Sequence, residues 1–350
     1  MCFLYRLISA NRLCFGVLLF FCSALYTSAQ KSVLVFYNVE NLFDPEDDPK
    51  TFDEAYTPKG YHHWDAGVLH QKLDQLAAVL SKIHFKDTHA FPALIGLAEV
   101  ENYTFVQRLA QHPKLQGGHY EVIHFDSRDG RGIDVALLYN RQHFNPLETQ
   151  HYPLALRHPE TNTKYYSRDV LVVQGILFGE EVFITVNHWP SRRGGEQKSK
   201  PLRLAAAQQQ LQILDSIYRI QPQAKIVVMG DFNDNPNDKS LQQLQRPQAY
   251  FEHFVPLHNS MQQLFAQGAG SLSYNDRWFL FDQMLWSPFW ISSQEGLHVE
   301  TVAIFHPKWL YTPQGRYKGY PYRTARKGPY LNGYSDHFPV YAILNIERDN

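Results

Sequence analysis

Five short motifs, each next to an apolar run, carry carboxylate, amide and imidazole side chains. They read NVEN at 38–41, AEVEN at 98–102, NHWPS at 187–191, GDFND at 230–234 and SDHFP at 335–339. Phosphoester hydrolysis needs such groups, because it requires oxygen ligands for a cation, a base for the attacking water and donors for the phosphoryl oxygens. A lone acid after a strand is usually a turn or cap residue. Five such motifs in one chain favour a reaction centre.

In this order, the motifs resemble those of the endonuclease/exonuclease/phosphatase superfamily, and closely resemble those of its secreted bacterial branch, alongside DNase I-like nucleases and neutral sphingomyelinases. The resemblance extends over about residues 32–345. One motif alone is a weak match, but five in sequence order are a strong signal. The resemblance implies an α/β fold of the DNase I type, a four-layer sandwich in which two mixed, mostly antiparallel β-sheets pack face to face with helices outside.

The resemblance also implies a divalent-metal site built from carboxylates. Glu99 matches the principal Mg²⁺ ligand, Glu40 a second acid of the metal site, and Asp336 an acid that approaches the metal. A hard carboxylate suits Mg²⁺, which keeps several of its waters, and Mn²⁺ and Ca²⁺ are the alternatives. For Glu40, the alternative role is that of a solvated surface acid.

Five residues match catalytic positions of the superfamily. Asp231 matches the residue that orients or deprotonates the attacking water, and Asn233 the amide that holds the phosphate or the leaving group. His188 and His337 match two histidines that bind the scissile phosphate or transfer protons. Asp282 matches the acid that pairs with His337, which would raise the pKa of that imidazole and fix its tautomer.

Other polar segments are expected to contact the substrate. Asn38 matches a positioning amide for the phosphate, and Arg131 is a candidate phosphate contact whose alternative is a solvated loop arginine. Residues 191–196, with the sequence SRRGGE, resemble a motif of the bacterial branch, which implies a mobile arginine-bearing loop beside the site. Residues 306–334 interleave basic and aromatic side chains and could grip a polyanion. The alternative for this last segment is a surface loop stiffened by tyrosine packing.

The elements that must position these residues can be read from the spacing of apolar residues. Short β-rich runs predict buried strands, and recurrence at three- and four-residue steps predicts two helices with one apolar face each. The predicted strands cover 33–37, 93–98, 133–139, 170–177, 182–186, 226–229 and 338–343, and the helices 69–83 and 204–217. Asn38, Glu99, His188 and Asp231 then lie at strand ends, where open α/β sheets gather their ligands.

Residues 1–29 have the features of a secretory signal peptide. An apolar run at 13–22 is followed by small and polar residues up to Ala29, so we expect cleavage there and one domain over 30–350. The run is shorter than the roughly twenty residues that span a bilayer. We therefore expect an exported protein, periplasmic or secreted, with no stable membrane anchor after cleavage. An uncleaved anchor is the alternative.

Cleavage would change the composition of the chain. All three cysteines lie in the leader, so the mature chain would contain no disulfide, thiol nucleophile or cysteine-ligated zinc. Loss of Arg6 and Arg12 would leave 31 basic residues against 34 acidic ones, a formal charge of −3. Net charge therefore gives no sign of nucleic-acid binding.

Taken together, the motifs predict a metal-dependent phosphodiester hydrolase, endonuclease-like, with extracytoplasmic nucleic acid as its substrate. The alternative substrates are phosphomonoesters and lipids such as phosphoinositides or sphingomyelin, because the superfamily uses one chemistry on all of them. No obligate protein partner is implied. A third alternative is an inactive protein that binds a phosphorylated ligand. Loss of a core residue would favour it, and none is missing among Asn38, Glu99, His188, Asp231, Asn233, Asp282 and His337.

Overall fold

Two six-stranded β-sheets form the centre of the protein in the computed structural model. The structure describes residues 30–84, 90–158, 160–246, 249–292, 296–325, 328 and 330–347. The predicted signal peptide, residues 1–29, lies outside them. In the part of the chain that is described, no helix has the length and apolar character needed to cross a membrane.

The chain contains sixteen strands and five α-helices in the described residues. The strands are β1 (Gln30–Leu42), β2 (Leu94–Val100), β3 (Tyr120–His124), β4 (Asp134–Asn140), β5 (Phe144–Tyr152), β6 (Ala155–Arg157), β7 (Lys164–Tyr166), β8 (Val170–Leu177), β9 (Glu180–His188), β10 (Lys225–Asp231), β11 (His258–Asn259), β12 (Leu272–Tyr274), β13 (Arg277–Phe279), β14 (Asp282–Trp286), β15 (Gly296–Ile304) and β16 (Val340–Glu347). The helices are α1 (Ala66–Leu80), α2 (Tyr103–Ala110), α3 (Glu196–Ile220), α4 (Lys239–Leu244) and α5 (Gln262–Ala266).

Each large sheet has a parallel pair of strands at its centre and antiparallel neighbours on both sides. The first sheet has the order β15-β16-β1-β2-β4-β3, with β1 and β2 parallel. The second has the order β11-β14-β10-β9-β8-β5, with β9 and β10 parallel. Two mixed, mostly antiparallel sheets confirm the predicted fold class.

The layers follow from the alternation of side chains along each strand. In β1, Leu34 and Phe36 lie in the core between the two sheets, whereas Val33 and Val35 lie on the opposite face under α1. The apolar face of α1 covers that outer face, and the apolar face of α3 covers the second sheet in the same way. Helix, sheet, sheet and helix therefore form the four layers.

The strand directions bring the predicted site residues to one end of the sandwich. Asp231 at the end of β10 pairs in register with His188 at the end of parallel β9 and with Asp282 at the start of antiparallel β14. His337 precedes β16, which is antiparallel to β1 and therefore starts where β1 ends. The topology thus collects residues that are far apart in the sequence.

Candidate active site

A cleft of about 820 Å³ opens at the end of the sandwich where the parallel strands finish. It is lined by seven of the ten predicted site residues: Glu99, Arg131, His188, Asp231, Asn233, Asp336 and His337. The other three are buried in the same region: Asn38, Glu40 and Asp282. The structure brings all ten residues together, while their individual roles stay predictions.

Asp231 lies at the centre of this arrangement. Its Oδ2 atom accepts a hydrogen bond from Nδ2 of Asn38 at 3.0 Å and lies 3.6 Å from Nε2 of His188 and 3.9 Å from Nε2 of His337. Its Oδ1 atom accepts a hydrogen bond from the backbone N–H of Asn233 at 2.9 Å. One carboxylate therefore faces an amide and both predicted catalytic histidines.

The environment of Asp231 is compatible with its predicted role in accepting a proton. Burial raises its pKa to about 6; the charge of His337 opposes the shift and that of Asp282 adds to it. A carboxylate with a pKa just below neutral is ionised at pH 7 and still accepts a proton readily. The position of Asp231 at the floor of the cleft places this base where a substrate phosphate would bind.

A buried carboxylate holds His337 in place. Its Nδ1 atom lies 2.6 Å from Oδ2 of Asp282, and its backbone N–H donates to Oγ of Ser335 at 3.0 Å. Burial alone lowers the pKa of His337, but the charges of Asp282 and Asp231 outweigh it and hold that pKa well above its usual range. His337 is therefore a cation whose Nε2 atom is directed at Asp231 and Asp336.

His188 occupies the opposite electrostatic environment. Burial lowers its pKa well below the usual range, and the positive charges of Arg168 and Arg131 lower it further. Its Nε2 atom lies 3.9 Å from Oε1 of Glu99. The pKa values of the two histidines are therefore shifted in opposite directions, which is the arrangement that a division of acid and base work requires.

Glu99 owes its position to a distortion of the two parallel strands. The pairing of β1 with β2 shifts register between Asn38 and Leu42, and φ is 51° at Glu40, 59° at Asn41 and 64° at Glu99. Non-glycine residues in the left-handed region are strained and must be held by their surroundings. Here the backbone N–H of Asn41 donates to Oε2 of Glu99 at 3.1 Å. The distortion directs Glu99 into the cleft.

Glu40 is hydrogen-bonded to other residues of the chain. Its Oε1 atom accepts from Nε of Arg323 at 3.1 Å, and its Oε2 atom from the backbone N–H of Thr324 at 2.5 Å. The same guanidinium donates to Oδ2 of Asp336 at 2.5 Å. Both oxygens of Glu40 are occupied and the residue is only 3% exposed. These contacts do not favour the predicted metal ligation by Glu40, and they exclude its alternative role as a solvated surface acid.

Two acids and two cations make up this network, and their charges shift the pKa values of the acids. Burial raises the pKa of Glu40 to about 7; Asp336 adds to the shift, and Arg323 and Lys72 oppose it. Burial raises the pKa of Asp336 as well, but the Arg323 guanidinium outweighs this and holds it below its usual range. Buried Lys72 donates to Oγ1 of Thr324 and, at 2.7 Å, to the carbonyl of Tyr334.

The remaining carboxylates fit a hard divalent cation. Glu99 is partly exposed in the cleft, and oxygen ligands with room for water are what Mg²⁺ requires. In the cleft region, Asp231, Asp282 and His337 form another group of possible metal ligands, whose ligand atoms lie within 4.8 Å of one another. Because Asp282 and His337 already contact each other, Glu99 is the residue that would hold the ion.

Arg168 is a cleft residue that sequence patterns do not reveal. Its Nη1 atom donates to Oδ2 of Asp129 at 3.2 Å and its Nη2 atom to the carbonyl of Trp189 at 2.6 Å. That carbonyl also accepts from Nδ2 of Asn233 at 3.0 Å. Arg168 therefore shares a hydrogen-bond acceptor with Asn233 and also adds positive charge to the cleft. Arg168 lies just before the apolar run at 170–177. From the sequence, a charged residue in that position is interpreted as the exposed start of a strand.

The loop between β9 and α3 fixes one of its two arginines. Nε of Arg192 donates to the carbonyl of Asn233 at 2.8 Å, and its Nη2 atom donates to Asp234 at 3.0 Å and to Asp238 at 2.7 Å. Arg192 is therefore held by the fold and does not match the mobile arginine expected here. Arg193 is exposed and lines the cleft.

Where residues 306–334 are described, they contribute aromatic packing beside Arg323. Trp309 packs edge-on against Tyr334, with ring centroids 5.2 Å apart, and Arg323 is bound to the two acids described above. Two basic residues of the segment lie outside the described residues: Arg326 and Lys327. The contacts favour the alternative interpretation, a surface loop stiffened by tyrosine packing.

Comparison with known proteins identifies a family whose sequence profile matches this chain. The profile of the Endonuclease/Exonuclease/phosphatase family matches residues 33–346. No curated protein matches the sequence. The fold is similar to that of D. rerio TDP2 complexed with single strand DNA product, with a TM-score of 0.53 and 15% identity over 90% of this chain and 99% of that one.

Two further solved structures show the same similarity. The endonuclease/exonuclease/phosphatase from Bacteroides vulgatus has a TM-score of 0.54 and 16% identity, over 91% of this chain and 100% of that one. The human Nocturnin catalytic domain with bound sulfate anion has a TM-score of 0.53 and 15% identity, over 90% of this chain and 94% of that one. These similarities confirm the DNase I-like fold.

Proposed function

The chain belongs to the endonuclease/exonuclease/phosphatase family, and on that premise we propose that it is a divalent-metal-dependent phosphodiester hydrolase acting on nucleic acid outside the cytoplasm. One observation carries the proposal: Oδ2 of Asp231 lies within 3.9 Å of Nε2 of both His188 and His337. A base, a neutral imidazole and a cationic imidazole around one point suit the in-line attack of water on a phosphodiester.

In the proposed reaction, Asp231 accepts a proton from the attacking water. Asn38, hydrogen-bonded to the same carboxylate, keeps the base in place. The oxygen of that water forms a bond to phosphorus opposite the leaving oxygen, and the bond from phosphorus to the leaving oxygen breaks. His337, kept protonated by Asp282, donates from Nε2 to a phosphoryl oxygen. The leaving alkoxide takes its proton from solvent.

Other residues of the cleft stabilise the charge on the phosphate. Arg131 and Arg168, whose charges depress the pKa of His188, lie near the same point and attract the phosphoryl oxygens. Neutral His188 holds one of these oxygens without adding charge. A divalent ion at Glu99 would draw negative charge from the phosphoryl and leaving oxygens.

Nucleic acid is the substrate that best accounts for the cleft. The cleft extends beyond Asp231 and His337 and continues past the basic side chains of Arg193 and Lys198, so it has room for more than one phosphate group. The structure of D. rerio TDP2 contains a single strand DNA product, and the same fold here supports a substrate of that class.

Export is the second part of the proposal. It is supported by the apolar run and the small residues of positions 1–29 and by the resemblance of the motifs to those of the secreted bacterial branch. Mass spectrometry of the mature protein should find Gln30 at the N-terminus. A mature protein that begins at Met1, or a membrane-bound product, would contradict it.

A panel assay of the purified mature protein tests the activity. It compares plasmid DNA, RNA, inositol phosphates and sphingomyelin in Mg²⁺, Mn²⁺, Ca²⁺ and excess chelator. We expect nucleic acid to be cleaved with Mg²⁺ or Mn²⁺ and not in chelator. Hydrolysis confined to inositol phosphates or sphingomyelin would overturn the choice of nucleic acid. Binding without turnover of any substrate would overturn the enzymatic function.

A further inference from the structure

Beyond the reaction centre, two aromatic side chains line the cleft, and two cations lie against one of them. We call this group the basic-aromatic wall, and it consists of Phe52, Arg128, Lys164 and Tyr166. Phe52 and Tyr166 line the cleft directly, and the two cations lie over the ring of Tyr166. None of the four takes part in the proposed chemistry.

Phe52 is an exposed ring fixed at the rim. Its backbone N–H donates to the carbonyl of Gly130 at 2.8 Å, and a Cβ atom at position 130 would lie 3.5 Å from the ring. The residue is nevertheless 77% exposed. An aromatic ring that rests on a glycine and is open to solvent beside Arg131 is a platform for a planar group.

Tyr166 is flanked by two cations. Cζ of Arg128 lies 5.0 Å from the ring centroid and Nζ of Lys164 lies 5.1 Å from it. A hydrogen bond from Lys164, together with the charges of both cations, lowers the pKa of the phenol. Throughout the described ranges, no carboxylate forms an ion pair with either cation. Their positive charge therefore remains available to an anion in the cleft.

The wall is preformed rather than loose. Leu156 on β6 is buried against the side chains of α3, so the β6–β7 hairpin that carries Lys164 and Tyr166 is anchored at its base. At its turn, Oε1 of Glu160 lies 2.8 Å from Nζ of Lys198 at the start of α3. A surface that is already in place costs less conformational entropy on binding.

We propose that the basic-aromatic wall is a subsite for the nucleotide next to the scissile phosphate of a single-stranded nucleic acid, an inference that rests on the proposed function. Phe52 stacks on the neighbouring base, and Arg128 and Lys164 bind the neighbouring phosphate. Cations interleaved with exposed aromatic rings suit single strands, whose bases are free to stack. In a duplex the bases are paired and stacked within the helix, where Phe52 cannot reach them.

The test compares two substrates with the metal-loaded enzyme. One is bis(p-nitrophenyl) phosphate, a diester too small to reach the wall, and the other is a single-stranded oligonucleotide of about twelve nucleotides. We expect R128Q/K164Q to raise KM for the oligonucleotide at least tenfold more than for the small diester. The slope of log KM against log salt should fall by about 0.7, because the variant loses one single-strand phosphate contact and each such contact contributes about 0.7.

Phe52→Leu tests the stacking contact separately. It should raise KM for the oligonucleotide by about fivefold or more, as for one lost base-stacking contact, without changing the salt slope. The matched control is K82Q/R219Q, which removes the same charge from exposed residues at the C-terminal ends of α1 and α3, away from the cleft. The control should behave as the wild type on both substrates.

The outcomes separate this subsite from the proposed function. Equal losses on both substrates, an unchanged KM for the oligonucleotide, or a preference for duplex over single strand would overturn the subsite alone. A wild-type enzyme that hydrolyses the small diester but not the oligonucleotide would overturn the subsite and the choice of nucleic acid as substrate, while phosphodiester hydrolysis itself would stand. A wild-type enzyme that hydrolyses neither substrate would overturn the proposed function, and the subsite with it.

Discussion

His337 and Asp282 form a buried pair that joins the two β-sheets at the floor of the cleft. Nδ1 of the imidazole lies 2.6 Å from Oδ2 of the carboxylate, although the residues are 55 positions apart. His337 precedes β16 of the first sheet and Asp282 begins β14 of the second. The pair therefore depends on the packing of the whole sandwich and fixes the imidazole that faces Asp231.

The two active-site histidines should titrate on opposite sides of the usual imidazole range in the metal-free protein. His337 should hold its proton above that range, because Asp282 outweighs burial, and His188 should lose its proton below it. Asp282→Asn should lower the pKa of His337. Side-chain NMR as a function of pH checks this, and an unchanged titration of His337 in the variant would refute the pairing.

The same pair predicts a pH dependence of stability. A raised folded pKa means that the contribution of His337 is fully present below the unfolded value of about 6.5 and is lost as pH rises through the folded value. Asp282→Asn should therefore lower the free energy of unfolding most in acid and least at high pH. Denaturant unfolding across pH measures this difference. A loss of unfolding free energy in the variant that grows with pH would contradict the prediction.

Activity should show that Asp282 and His337 act as one unit. Asp282→Asn and His337→Ala should each reduce kcat/KM severely, and the double variant should be little worse than His337→Ala, because residues that act together give strongly non-additive losses. Steady-state kinetics on a small diester measures all three variants. Strictly additive losses would show that the contact has no catalytic consequence.

Arg323 should limit the protein to one divalent ion. It neutralises Glu40 and Asp336, which leaves Glu99 as the ligand. Arg323→Gln should therefore allow a second Mn²⁺ ion to bind, and without metal it should lower the free energy of unfolding by about 1–3 kcal/mol, because a buried acceptor loses its partner. Calorimetry counts the ions, with Arg219→Gln as the control. Two ions in the wild type, or one in Arg323→Gln, would contradict this interpretation.

The main elements of the fold could be predicted because their sequences are periodic. All seven predicted strands and both helices are present, although the helix predicted at 204–217 extends over Glu196–Ile220. The strands that were missed are short or lie near sheet edges, such as β5, whose exposed polar residues and Pro146 give no apolar alternation. Such strands depend on pairing with a neighbour rather than on their own pattern.

Site residues that stand in a recognisable motif could be predicted from the sequence. Residues that act through a contact with a distant part of the chain could not. Lys72 interrupts the apolar face of α1 and would be read as exposed, yet it is buried by Thr324 and Tyr334. Arg323 lies in a polar loop with no sign of its contact with Glu40, 283 positions away. Contacts of this range exist only in the folded chain.

The central claim is metal-dependent hydrolysis centred on Glu99, and one variant tests it most directly. Glu99→Gln keeps the shape of the side chain and an acceptor for the N–H of Asn41, so the fold should survive, but it removes the anionic ligand.

The decisive measurement is the rate of hydrolysis of a small phosphodiester as Mg²⁺ is titrated, for the wild type and Glu99→Gln, with Mg²⁺ binding followed by calorimetry. We predict that wild-type turnover vanishes in excess chelator and that the variant loses both tight Mg²⁺ binding and at least about a hundredfold in kcat/KM. Full activity of the wild type in chelator, or of Glu99→Gln in Mg²⁺, would contradict the account.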